Sequence, residues 1–150
     1  MTSLALAQGG QDNATAVLVD VLALPPVNRR DSLAQGARLP LPPRFKAGQE
    51  IDGLMIEEVL HDSRETRLYR VRDRQSGQRM VLKTLRPELE GDAEAAGALL
   101  LEEWRARRVV SPFFAQIVPA EQRSCLYFLM SWHEGASLQQ MLDAGQHFTV

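Results

Sequence analysis

Two charged residues stand where this 150-residue chain is otherwise apolar. Lys83 ends the run Met80-Val81-Leu82-Lys83. Residues two apart in a strand share a face, so it points the same way as Val81 and Leu85. Its ammonium therefore leaves an apolar surface. A compact point charge there suits a place between phosphate oxygens, and it also suits an edge strand that resists pairing with another chain. Of the 17 basic residues 15 are arginine, and only Lys46 and Lys83 are lysine, which favours a specific use for lysine at position 83. Glu102 is the second residue. Ala95, Leu99, Ala106, Val109 and Val110 form one helical stripe, with Glu102 about 35° from its centre and Glu103 about 65° away at roughly 100° per residue. A carboxylate so near a buried stripe needs a cation.

The elements that position these groups follow from local patterning. Leu60 to Leu85 reads as a hairpin. Leu68 to Arg72 alternates apolar and basic side chains, and Gln75-Ser76-Gly77-Gln78 supplies the turn. Asp92 caps a helix that runs to about Val110, ahead of Ser111-Pro112. Phe113 to Val118 and Ser124 to Met130 read as two strands joined at Glu121-Gln122-Arg123, and Leu138 to Leu142 begins another helix. The expected class is α+β: a five-stranded, mainly antiparallel sheet with one long helix, over residues 48–150. Residues 25–47 hold five of the eight prolines and read as an extended linker. Residues 1–24 end in the β-branched strand Ala14 to Leu24, which reads as the stub of a preceding domain.

Composition narrows the function classes. The chain is 45% hydrophobic and 24% charged, as a globular domain is, and a net charge of −2 with pI near 5.9 argues against a nucleic-acid partner. Arginines at Arg64, Arg67, Arg70, Arg72, Arg74 and Arg79 interleave with Glu57, Glu58, Asp62, Glu65 and Asp73, a mixed solvated face. A single Cys125 within an apolar run, no apolar stretch of membrane-spanning length and no basic signal-peptide start point to a cytoplasmic protein. His61, His133 and His147 lack metal-ligand spacing, and Ser124 has no identifiable base.

Residues 51–145 resemble the small lobe, hinge and first large-lobe helix of a eukaryotic-type serine/threonine protein kinase. Met80 to Lys83 resembles that family's VAIK strand, whose lysine holds ATP phosphates. Glu102 falls ten residues before Pro112, as the family's helix glutamate does, and Leu126 to Leu138 resembles the last strand, gatekeeper and hinge. The resemblance implies that Glu102 pairs with Lys83, and that Leu60, Leu68, Val81 and gatekeeper Met130 form an apolar slot for adenine. The hinge backbone of Ser131, Trp132 and His133 then borders the base. The implied ligands are ATP with magnesium and a protein substrate.

Two features depart from that family. Its three loop glycines are replaced by His61, Ser63 and Thr66, which removes the close backbone approach that glycine gives to phosphate but leaves the Ser63 and Thr66 hydroxyls as donors. Neither an HRD catalytic loop nor a DFG metal site occurs before Val150, so this span alone is expected to be inactive and to be part of a longer kinase. A pseudokinase-like interaction module without catalysis is the alternative. Gly9 to Val21, GGQDNATAVLVDV, resembles the C-terminal end of a metal-dependent protein phosphatase of type 2C. That resemblance makes Asp12 a manganese or magnesium ligand and implies a phosphatase–kinase fusion.

Overall fold

The computed structural model describes residues 38–120 and 122–145, so the candidate phosphatase stub and its metal ligand Asp12 lie outside the described residues. The strands are β1 (Glu50–Ile51), β2 (Leu54–Asp62), β3 (Thr66–Asp73), β4 (Arg79–Leu85), β5 (Ile117–Val118) and β6 (Tyr127–Ser131). Helix α1 (Ala93–Ala106) lies between β4 and β5, and α2 (Leu138–Asp143) follows β6. The sheet order is β1-β2-β3-β4-β6-β5, and every neighbouring pair is antiparallel.

The sheet has six strands where the sequence reading expects five, and it is antiparallel throughout. The extra strand is β1, joined to β2 by the two residues Asp52-Gly53, both at positive φ (48° and 79°). Asp-Gly favours that conformation, which makes a two-residue hairpin turn from a segment otherwise too short to read as a strand. The β3–β4 turn forms where expected. Asp73 accepts from the N–H groups of Gln75 and Ser76 at 2.7 and 2.8 Å, and Gly77 supplies a φ of 71°.

Helix α1 begins where its cap predicts. Asp92 Oδ1 accepts from the N–H of Glu94 and of Ala95, each at 3.0 Å. Its end falls at Ala106 instead of Val110. The chain tightens there, with Arg108 N–H donating to Arg105 O and Val109 N–H to Ala106 O, before Pro112 disfavours further helix. The expected strand from Phe113 shrinks to Ile117–Val118, because the Gln116 side chain donates to the carbonyls of Ser111 and Phe114 and holds that stretch as a turn.

Two cores lie on the two faces of the sheet. Ile51, Leu54, Ile56, Tyr69, Val71, Met80, Leu82, Tyr127 and Leu129 form one with Phe45. Leu85, Leu126 and Phe128 form the other with Leu99 and Leu100 of α1. Alternation along β4 sends Met80, Leu82 and Thr84 to the first face, and Val81, Lys83 and Leu85 to the helix face.

Candidate functional site

Register places the site. Lys83 of β4 stands opposite Leu68 of β3 on one side and Phe128 of β6 on the other, and Val81 stands opposite Arg70 and Met130. Leu68, Val81, Lys83 and Met130 therefore share the helix face of three adjacent strands. Helix α1 covers the Leu85 and Phe128 end of this face, with Met130 half-buried against the same cluster and Leu68 and Val81 half-buried alongside on β3 and β4. Leu60 is half-buried as well. It is an extra residue in β2, since the β2–β3 register slips between Val59 and His61.

At the edge of that apolar strip the Lys83 ammonium donates to Glu102 Oε1 at 2.6 Å. The lysine side chain is 18% exposed and the glutamate 47%. The cation is thus drawn into the strip while its partner reaches it from the solvent side of α1. Leu68, Val81, Lys83 and Met130 thus share one face of the sheet, and Glu102 reaches Lys83 from α1.

The loop between β2 and β3 closes on itself. Ser63 Oγ donates to Thr66 O at 3.0 Å and lies 3.1 Å from Thr66 Oγ1, while the N–H of Thr66 returns to Ser63 Oγ at 3.0 Å. Ser63 Oγ also accepts from the N–H of Glu65 at 3.4 Å, so with its proton on the Thr66 carbonyl it is fully engaged inside the turn, and the Thr66 hydroxyl lies beside it. Asp62 then ties the loop base to Arg67 and to Arg86, the latter at 2.9 Å, and Arg86 N–H donates to Glu65 O at 2.8 Å. The hydrogen bond from Arg67 and the second cation hold the Asp62 carboxyl far below its ordinary range.

The hinge candidates are the end of β6 and the two residues that follow it. Ser131 Oγ accepts from Gln116 N–H at 2.9 Å and lies 3.0 Å from His133 Nε2, and Ser131 N–H donates to Gln116 O at 2.8 Å. The Arg70 guanidinium lies 5.4 Å from the centroid of the Trp132 ring, and its Nε donates to Glu57 at 2.8 Å. Glu57 is the other extra residue of β2 and also pairs with Arg72 at 2.6 Å. Burial acts to raise its carboxyl pKa, but the arginine hydrogen bonds outweigh it and the net shift is downward.

Sequence reasoning misses the deepest charge of the region. Glu103 is 6% exposed and accepts from Arg123 at 2.9 Å and from Arg107 at 2.7 Å. The signal for it is the arginine in the polar turn before β6, which reads as solvated in sequence. Among the described residues, no group of three or more His, Cys, Asp or Glu side chains is gathered as a metal site, and no helix is long and apolar enough to cross a membrane.

The chain matches no protein-family model and no curated protein. Among solved structures it is similar to one titled "PpkA-294 apo form", at 15% identity and a TM-score of 0.48, over 68% of this chain and 43% of that one. This chain thus spans less than half the length of that structure.

Proposed function

We propose that this chain carries the ATP-binding small lobe of a protein serine/threonine kinase, within a longer polypeptide in which a type 2C phosphatase precedes it. The observation that supports the reading is the 2.6 Å Lys83–Glu102 pair at the edge of an apolar strip of Leu68, Val81 and Met130. ATP with magnesium fits that arrangement. The strip offers the purine an apolar wall on three strands, and β6 continues from Met130 directly into Ser131, Trp132 and His133, the backbone proposed to meet the base. Lys83 holds phosphate oxygens with one ammonium proton still directed at Glu102, and Glu102 thereby fixes where the charge sits. Bound nucleotide supplies the transferable phosphoryl group. This span contributes binding and orientation, while the base and the metal ligands belong to a downstream lobe.

A second reading, a pseudokinase-like module that binds a protein partner without catalysis, is favoured by the closed Ser63–Thr66 turn. A phosphate approaching that loop must displace hydrogen bonds already made. Thermal melting of the chain with and without magnesium-ATP separates the two. A ligand that binds the folded state raises its melting temperature by mass action, so the kinase reading predicts a rise that Lys83→Met abolishes. No shift at millimolar nucleotide favours the interaction module.

A further inference from the structure

The apolar strip does not end at Val81. Its register continues away from Lys83 into arginine, with Arg70 opposite Val81 and Arg72 opposite Arg79. Tyr69 and Val71 fill the core on the other side of the sheet, so alternation along β3 puts Arg70 and Arg72 on the side of Leu68. Same-face neighbours on a strand lie about 6.6 Å apart, which sets Val81 one step and Arg79 two steps, about 13 Å, from Lys83.

These arginines are fixed by carboxylates and by a ring. Arg70 Nε donates to Glu57 Oε2 at 2.8 Å, and its Nη1 lies 2.8 Å from Glu58 Oε1. Glu57 also takes Arg72 at 2.6 Å and Arg79 at 3.4 Å, while Arg79 reaches Glu134 at 3.2 Å. Three arginines thus meet three glutamates, and this end of the strip is left without net charge, which suits a neutral base edge. The Trp132 ring packs on the Arg70 guanidinium, 5.4 Å from its carbon to the ring centroid. Neither Glu57 nor Glu58 takes up Arg70 Nη2, so two N–H groups of a held, planar fork remain for another acceptor.

The two purines offer such a donor different edges. Guanine presents two acceptors, O6 and N7, whereas adenine presents N7 beside the donating N6 amino group. A guanidinium bonds the first edge and meets the second donor to donor. A nucleotide whose phosphates sit at Lys83 lays its base over Val81 and Met130, the row to which Arg70 belongs. We propose that Arg70 is a specificity-determining residue through which this site takes magnesium-GTP at least as tightly as magnesium-ATP. The inference rests on the nucleotide reading above and adds to it the choice of purine.

The test is calorimetric titration of the full chain with magnesium-GTP and with magnesium-ATP, in the wild type and in Arg70→Met. The expected wild-type Kd for GTP is no larger than that for ATP. Arg70→Met is expected to weaken GTP about tenfold and to change ATP less than about twofold. An arginine that only braces the strands would lower both affinities by one factor, so an unchanged GTP-to-ATP ratio overturns the proposal. Should Arg70→Met fail to fold, Arg70→Gln keeps a polar side chain whose amide matches adenine N6 and N7. The ratio then turns toward ATP, and an unmoved ratio rejects the assignment. Wild-type binding of ATP with GTP tenfold weaker also overturns it while the nucleotide reading stands. Binding of neither nucleotide at millimolar concentration rejects that reading and the purine choice with it.

Discussion

Lys83 on β4 and Glu102 on α1 meet at 2.6 Å although their environments differ, the lysine mostly covered and the glutamate about half exposed. A pair with one partner in water contributes on the order of 1 kcal/mol or less to folding. Its value lies in orientation.

Lys83→Met is therefore expected to fold with a loss of about 1 kcal/mol or less in denaturant melts. Loss of a charge-assisted contact to phosphate lowers nucleotide affinity about tenfold or more, read by calorimetric titration. Equal affinity in the variant would contradict the assignment.

Glu103 behaves differently because it is buried. Glu103→Ala removes the carboxylate shared by Arg123 and Arg107 and leaves Arg123, itself mostly covered, without its charge partner. The expected loss is about 3 kcal/mol by urea denaturation, well above that of Lys83→Met. A loss no larger than at Lys83 would show that the pair is solvated.

The stability of the lobe should fall at both ends of the pH scale through one contact. Asp52 accepts from Tyr127 Oη at 2.8 Å and from Ser124 N–H at 2.9 Å. Burial works to raise the Asp52 pKa, but these hydrogen bonds carry it below its ordinary 3.8. Its contribution is present above pH 3.8 and is lost as pH falls through the lower folded value. Burial, and then the Asp52 carboxylate, push the Tyr127 pKa well above its ordinary 10.0. The unfolded chain ionises first, so this contribution is whole below pH 10.0 and is lost as pH rises above it. Melts across pH should show that Asp52→Asn reduces the acid loss and Tyr127→Phe reduces the alkaline loss. Unchanged pH profiles would rule out this coupling.

Asp92→Ala removes the acceptor for two N–H groups at the start of α1 and is expected to cost about 1 kcal/mol in melts, with Asp92→Asn close to wild type. A neutral alanine variant would mean that the first turn of α1 is held by other contacts.

What the sequence made legible was local or had fixed spacing. Lys83 follows from strand alternation, the Asp92 cap from its place before an apolar helix, and the β3–β4 turn from Ser76-Gly77. The helix stripe was read less well. It includes Val109 and Val110, which fall beyond the helix end and are 43% and 87% exposed, yet leaving them out shifts its centre by only about 4°, so the stripe sets Glu102 nearer than the buried Glu103 either way. The cations that settle the two glutamates come from β4 and from the turn before β6, and periodicity within one helix carries no information about either. Prolines at 40, 42 and 43 signal extended backbone whether free or docked. Their docking depends on Leu126, Glu88 and Glu90, which only the tertiary fold brings near.

The central claim, that nucleotide phosphates sit beside Lys83, is tested most directly with an acyl-phosphate derivative of ATP, which transfers its acyl group to a lysine at the phosphate position. The chain contains only Lys46 and Lys83, so peptide mass spectrometry gives an unambiguous answer. The account predicts modification of Lys83 that excess magnesium-ATP suppresses, with Lys46 labelled no faster than by a nucleotide-free acyl phosphate. Equal labelling of both lysines, insensitive to ATP, would contradict it.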